Sequence, residues 1–281
     1  MNVQLLTRRL RAVWSLALTN GPERKVSKRW LVRNPGKLER AFRDAHPYSV
    51  RQWGEYLRFD VGEEIFLWPA NARQETMVQL LAELLVTTHP HQYNWGPTQV
   101  ARHDVVLDIG ACEGSFAALV TGRCSGVIVV EPSRTMCALI RDLFKLREQP
   151  CPVIKQCLLG DKPSIAYFLE NPVNPGASRA SAMIVEGAYE VPVLTLDRLV
   201  EELEPKPTFV KCDAEGSAPT ILSGGRNFLA RCRPKLAIAS YHTDWEYIEL
   251  HNLLKPLGYC ITGKGFIFTG SKLRVNMLHA Y

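Results

Sequence analysis

Four short apolar runs in this chain end in residues that can do chemistry: Asp108 within VVLDIGACEG (residues 105–114), Glu131 after Gly126–Val130, Asp213 with Glu215 after residues 208–212, and Tyr241 with His242 after residues 235–240. The first run reads as a buried strand breaking into a glycine turn that opens a helix, the usual entrance to a nucleotide-type pocket. A pyrophosphate pocket needs G-x-G-x-x-G so that the backbone can approach the phosphates. Here the pattern is Asp108-x-Gly110-x-x-x-Gly114, with one glycine in the tight turn, Ala111 beside it and Glu113 before the second glycine. Asp108 and Glu113 repel a pyrophosphate, whereas the ammonium and sulfonium of S-adenosylmethionine are attracted. Glu131, at the end of the next strand and followed by Pro132 and Ser133, is placed to take both hydroxyls of a ribose.

Asp213 and Glu215 flank one small residue just past a strand, so in extended geometry both side chains point the same way. Two carboxylates there can hold a donor hydroxyl, position the methionine ammonium or share a divalent cation. Lys211 alternates with Cys212 and either lowers the pKa of Asp213 or sits in a structural ion pair. His242, at a strand's C-terminal end, is placed to accept a proton from an attacking hydroxyl, with Asp213 or Glu215 as the second choice of base. The histidines at 46, 89, 91, 103, 251 and 279 show no partner in the sequence.

Elements that position these residues are legible from about residue 100, where strand and helix patterns alternate and predict a mostly parallel sheet with helices on both faces. Strands are expected at 104–109, 126–130, 152–156, 208–212 and 235–241, and further strands at 164–169, 191–195 and beyond 259, one of them antiparallel. Residues 158–161 read as an outgoing loop. The intervening helices are expected at 114–121, 196–203, 218–231 with an interruption at Gly224-Gly225, and 244–254. Another starts with Ser133 as N-cap and places Met136, Leu139, Ile140, Leu143 and Phe144 on one face. A Pro/Ala/Ser-rich stretch at 171–182 has the composition and length of a lid. In front, residues 1–50 look helical and irregular, 56–69 a hairpin and 77–85 a helix. The expected division is a basic extension and cap at 1–95 and a main domain at 96–281.

With 46% hydrophobic residues over 281 positions the chain can fill a core. Residues 1–51 hold twelve Lys and Arg against three Asp and Glu, so the net charge of +6 belongs to the N-terminal segment. That segment either forms a solvated face or makes peripheral contact with a membrane surface or an anionic glycan, and it carries no nucleic-acid-binding motif. Eight cysteines show no C-x-x-C pair and fall mostly inside apolar runs, as buried free thiols do, which suggests neither a disulfide framework nor a zinc site. The apolar stretch at 12–18 is too short to span a bilayer and makes a poor signal peptide, which leaves cytoplasmic residence as the expectation.

The acidic glycine turn with Glu131 resembles motif I of class I S-adenosylmethionine-dependent methyltransferases. The second half is more specific: VLTLDRL (193–199), FVKCDAEG (209–216), ILSGG (221–225) and Tyr241-His242 resemble the FkbM family of methyltransferases over about residues 55–265. That resemblance implies a Rossmann-like class I fold with a mostly parallel seven-stranded sheet and O-methyl transfer to a sugar, glycan or natural-product acceptor. It also implies cofactor contacts at Asp108, Gly110, Glu131 and Asp213. The chain departs from the family in having Cys112 or Glu113 where Asn is frequent, and Ser217-Ala218-Pro219 after the "E-G" where an acidic residue is frequent. Two other readings stand beside it, a non-catalytic cofactor-binding scaffold recruited by the basic N-terminus and an NAD-dependent oxidoreductase. The sequence leaves acceptor, metal requirement and oligomeric state open.

Overall fold

The computed structural model describes residue 7 and residues 22–31, 35–269 and 271–281. Within the basic segment at 1–51, residues 1–6, 8–21 and 32–34 lie outside them; the rest hold a strand as well as a helix, where the sequence reading expected helical and irregular structure. The strands in chain order are β1 (Ser27–Leu31), β2 (Tyr48–Trp53), β3 (Tyr56–Val61), β4 (Glu64–Pro69), β5 (Val105–Ile109), β6 (Gly126–Val130), β7 (Val153–Lys155), β8 (Leu158–Gly160), β9 (Ser164–Leu169), β10 (Arg179–Ser181), β11 (Tyr189–Thr195), β12 (Phe209–Cys212), β13 (Lys235–Ala239), β14 (Ile261–Thr269) and β15 (Lys272–Ala280). The helices are α1 (Pro35–Ala45), α2 (Gln74–Leu85), α3 (Ser115–Val120), α4 (Arg134–Leu146), α5 (Leu196–Glu201), α6 (Ala218–Ser223), α7 (Arg226–Cys232) and α8 (Glu246–Leu254).

Apolar side chains at every position of β5 and β12, apart from Asp108 and Lys211, require burial on both faces, and both strands sit inside the main sheet. Its order is β1-β14-β15-β13-β12-β5-β6-β7, in which β15 alone runs against the rest. These are the seven expected strands extended at one edge by β1, in the Rossmann-like class I arrangement. One face packs Leu107, Ile109, Val210 and Leu236 against Leu196, Leu199, Ile221 and Leu250 of α5, α6 and α8. On the other side, Met136, Leu139, Ile140, Leu143 and Phe144 of α4 pack with Val129. Ser133 caps α4 as expected, its side chain accepting from the Met136 amide.

Two smaller sheets differ from the sequence reading. Residues 158–160 are a strand: β8 pairs in parallel with Val193–Thr195 of β11, in a four-stranded sheet ordered β10-β9-β11-β8, because a partner distant in sequence satisfies its backbone. The stretch expected as a lid is partly ordered by β10, antiparallel to β9. In the cap, β2 joins the β3–β4 hairpin to form a three-stranded meander over Phe42, Phe59, Phe66, Trp68, Met77 and Leu81. Tyr56 donates to Asp142 at 3.2 Å and Arg147 to the Ile65 carbonyl at 2.7 Å, tying that meander to α4. Among the described residues no helix is long and apolar enough to cross a membrane.

Candidate active site

The chain order places the topological switch between β5 and β12, since the crossovers leave in opposite directions from there. Gly110 and Asp213 follow these two strands and touch. A Cβ on Gly110 would lie 2.0 Å from the Asp213 carbonyl oxygen, and φ is +69°, so only glycine permits this approach. Gly114, at φ +76°, lets the turn seat against Ile140, whose Cγ1 would be 2.8 Å from an added Cβ.

A cavity of about 330 Å³ opens above this junction, within the usual size of small-molecule sites. Of the residues expected from sequence, Gly110, Glu131, Pro132, Asp213 and Glu215 line it. Leu158, Leu159 and Phe168 add an apolar wall, and Ser178, Arg179 and Ala180 from the lid stretch close one side.

Glu131 is 6% exposed and held by two backbone donors, the Cys112 amide on Oε2 at 2.9 Å and the Ser133 amide on Oε1 at 2.8 Å. Burial pushes its carboxyl up to about 7 in spite of those bonds. Each oxygen keeps acceptor capacity for a ligand.

Asp108, Ala111, Glu113, Gly114, Ser133, Lys211 and His242 are not among the lining residues. Asp108 is fully buried beneath the turn, paired at 2.9 Å with Lys211 Nζ, which also donates to the Gly110 carbonyl at 2.6 Å. The two residues face each other in register across β5 and β12. Burial raises the Asp108 carboxyl against the pull of Lys211; Lys211 itself is raised, because Asp108 and Asp213 outweigh its desolvation. Of the two roles open to Lys211, the geometry selects the structural ion pair, and the charge of Asp108 is neutralised before any cofactor arrives. Glu113 is enclosed as well, and burial raises its carboxyl. Ser133 serves the α4 cap and donates to Glu170 at 2.9 Å.

The expected extended path from Asp213 to Glu215 is replaced by a turn, with Glu215 at φ +47° and Gly216 at φ +90°. The two carboxylates converge nevertheless, on His242 Nε2: Asp213 Oδ1 lies at 3.2 Å and Glu215 Oε2 at 3.8 Å. An imidazole therefore stands where a shared cation was an option, and among the described residues no group of three or more His, Cys, Asp and Glu is arranged to hold a metal. His242 Nδ1 is 3.3 Å from the buried Glu246, which also accepts from the His242 amide at 2.8 Å. Burial disfavours the imidazolium, yet Asp213 and Glu246 push its pKa up to about 10. His242 is thus protonated at neutral pH and cannot serve there as the base expected from its position.

Asp213 is opposed by burial, but bonds to His242 and His91 hold its carboxyl well below the usual carboxylate range. Glu215, 64% exposed, is raised by partial desolvation and by Asp213. The partners on the other oxygen of Asp213 escaped the sequence reading. Tyr93 Oη donates to Asp213 Oδ2 at 2.5 Å, and His91 Nε2 lies 2.8 Å from that hydroxyl. The available signal was the cluster His89-Pro90-His91-x-Tyr93 between α2 and β5.

Residues 108–261 match the family model described as the methyltransferase FkbM domain. The chain belongs to this family. Among solved structures it is similar to a methyltransferase FkbM from Methylobacillus flagellatus KT, with 20% identity, TM-score 0.50, and coverage of 75% of this chain and 56% of that one. The chain thus spans little more than half the length of that relative. It is also similar to a tRNA (uracil-54, C5)-methyltransferase from Pyrococcus abyssi in complex with S-adenosyl-L-homocysteine (14% identity, TM-score 0.44, 82% of this chain and 46% of that one). A precorrin-6y C5,15-methyltransferase from Geobacter metallireducens GS-15 has 14% identity and TM-score 0.39, over 66% of this chain and 82% of that one. At such identities the likeness is one of fold. No curated protein matches the chain.

Proposed function

We propose that this FkbM-family chain is an S-adenosylmethionine-dependent methyltransferase that methylates a hydroxyl oxygen of a sugar, glycan or natural-product acceptor. The observation that carries the reading is Glu131: a cavity-lining carboxylate with each oxygen anchored by a backbone amide, one strand away from a glycine whose Cβ would block the cavity floor. That geometry suits the two hydroxyls of a ribose. Carboxylates at 131, 213 and 215 suit a cationic cofactor and disfavour a pyrophosphate, which argues against the oxidoreductase reading.

When bound, the cofactor supplies an activated methyl group on a sulfonium that is already a good leaving group. The chain's own residues then align and deprotonate. Asp213, held ionised between two imidazole systems, is a fixed negative charge for the ammonium or sulfonium side of the cofactor. Glu215, at the solvent side of the cavity with a raised pKa, is the group placed to take the acceptor's hydroxyl proton. The imidazolium of His242 holds both carboxylates in position. The division into a cap at 1–95 and a catalytic domain at 96–281 belongs to the same proposal, with β1 of the first part joining the edge of the main sheet and residues 171–182 covering the acceptor side.

The test is calorimetric titration of the full chain with S-adenosylmethionine, S-adenosylhomocysteine and NAD, followed by transfer of labelled methyl to a panel of hydroxylated acceptors. Micromolar binding of the first two, weakened in Glu131→Ala, is expected. Binding of NAD alone, or of none by folded protein, overturns the reading.

A further inference from the structure

The family match begins at residue 108, yet the innermost support of Asp213 comes from residues before it. Glu83 sits in α2 of the cap, and His91 and Tyr93 in the segment that leads from α2 to the main sheet. His91 is 1% and Tyr93 7% exposed, so neither hydroxyl nor ring is shared with solvent. Tyr93 Oη reaches Asp213 Oδ2 at 2.5 Å, His91 Nε2 is 3.5 Å from the same oxygen, and His91 Nδ1 is 3.8 Å from Glu83 Oε2. The His91 amide donates to His89 Nδ1 at 3.0 Å and fixes the segment's bend.

On its other oxygen Asp213 meets His242, itself backed by Glu246. The cavity carboxylate is therefore the centre of a row in which carboxyl and imidazole groups alternate, Glu83, His91, Asp213, His242, Glu246, with the Tyr93 hydroxyl bridging on the cap side. A carboxylate held at one oxygen only can rotate about its last torsion and swing its charge away from a ligand. Asp213 is hydrogen-bonded by Tyr93 on one oxygen and meets the His242 imidazole at ion-pair distance on the other, which restrains that rotation.

We propose that Tyr93 and His91 are positioning residues for Asp213, so that the cap segment completes a site whose other parts belong to the family domain. The inference rests on the reading of the cavity as a cofactor site. The titratable groups around Asp213 are His91, Tyr93 and Glu83 from the cap side, Lys211 with Asp108 from the sheet, and Tyr241, His242, Glu215 and Glu246 from the far side. Loss of the cap-side donors leaves the pull of His242 on the other oxygen unopposed.

A double-mutant cycle on S-adenosylhomocysteine binding by the full chain tests this. Tyr93→Phe keeps the ring that packs edge-on against Phe116 and removes only the donor, and it should weaken binding by at least about threefold, with a ceiling of roughly a hundredfold set by the worth of a hydrogen bond to a charged group. In an Asp213→Asn background the same substitution should cost almost nothing, because the group it positions has lost its charge. His91→Gln should behave alike, and Phe116→Leu, which alters the packing around Tyr93 without touching Asp213, should leave affinity unchanged. An equal Tyr93→Phe cost in both backgrounds, or an equal loss in Phe116→Leu, reduces the segment to a structural support and overturns the proposal. Failure of the unmutated chain to bind S-adenosylhomocysteine is a separate result: it removes the cofactor reading and this inference with it.

Discussion

Cofactor affinity should rise as pH rises through 7, and the cause is Glu131. Its carboxyl stands at about 7 in the folded chain against an ordinary 4.5, because it is buried. The direction of the linkage follows from that sign. Folded protein holds the proton more tightly than unfolded protein, so this group costs the fold nothing below 4.5, where it is protonated in both states, and roughly 3 kcal/mol above 7, where it is ionised in both. Ribose hydroxyls donate to the ionised carboxylate and so bind the form that pH favours. With the midpoint at about 7, affinity at pH 6 should be roughly tenfold below its plateau, about 1.4 kcal/mol, and at pH 7 about twofold below it. Binding should release close to one proton at pH 6 and nearly none at pH 8.5. Titration with S-adenosylhomocysteine in buffers of different ionisation enthalpy measures both quantities. Glu83 also titrates at about 7, so Glu131→Gln is the necessary companion: it should bind more weakly and with a flat profile. Equal affinity at pH 6 and pH 8 in the unmutated chain, or the same slope in Glu131→Gln, would refute the assignment.

Lys211→Met leaves Asp108 fully enclosed without its cation and should destabilise the fold by about 3–5 kcal/mol in urea denaturation, with Asp108→Asn in the same chain recovering much of it; a loss below about 1 kcal/mol would show that the pair is dispensable. Gly110→Ala drives a methyl group to within 2.0 Å of the Asp213 carbonyl at a φ of +69°, so cofactor binding should vanish and unfolding should become easier by about 1–3 kcal/mol or more. Retention of unmutated affinity in that variant would mean that the β5–β12 junction is not the cavity floor.

Much of the architecture was written in local patterns. Apolar runs of five residues such as Gly126–Val130 dictate strands buried on both faces, the 136, 139, 140, 143, 144 spacing dictates the buried face of α4, and Ser133 caps that helix by a bond three residues away. Such features depend on sterics and hydrophobic periodicity within a few residues, and the sequence alone places Glu131, Asp213, Glu215 and His242 at strand ends. Strand assignments that depend on a distant partner were out of reach, as with Leu158–Gly160, which pairs with Val193–Thr195. The same holds for protonation. Nothing near residue 242 says that its imidazole, four residues from Glu246, also meets Asp213, and nothing near residue 108 says that its carboxylate is paired across the sheet with Lys211. Tyr93 meets Asp213 across 120 positions of chain. Side-chain types at strand ends are fixed by the sequence, but their charge and their partners are set by desolvation and by neighbours that only the folded chain brings together.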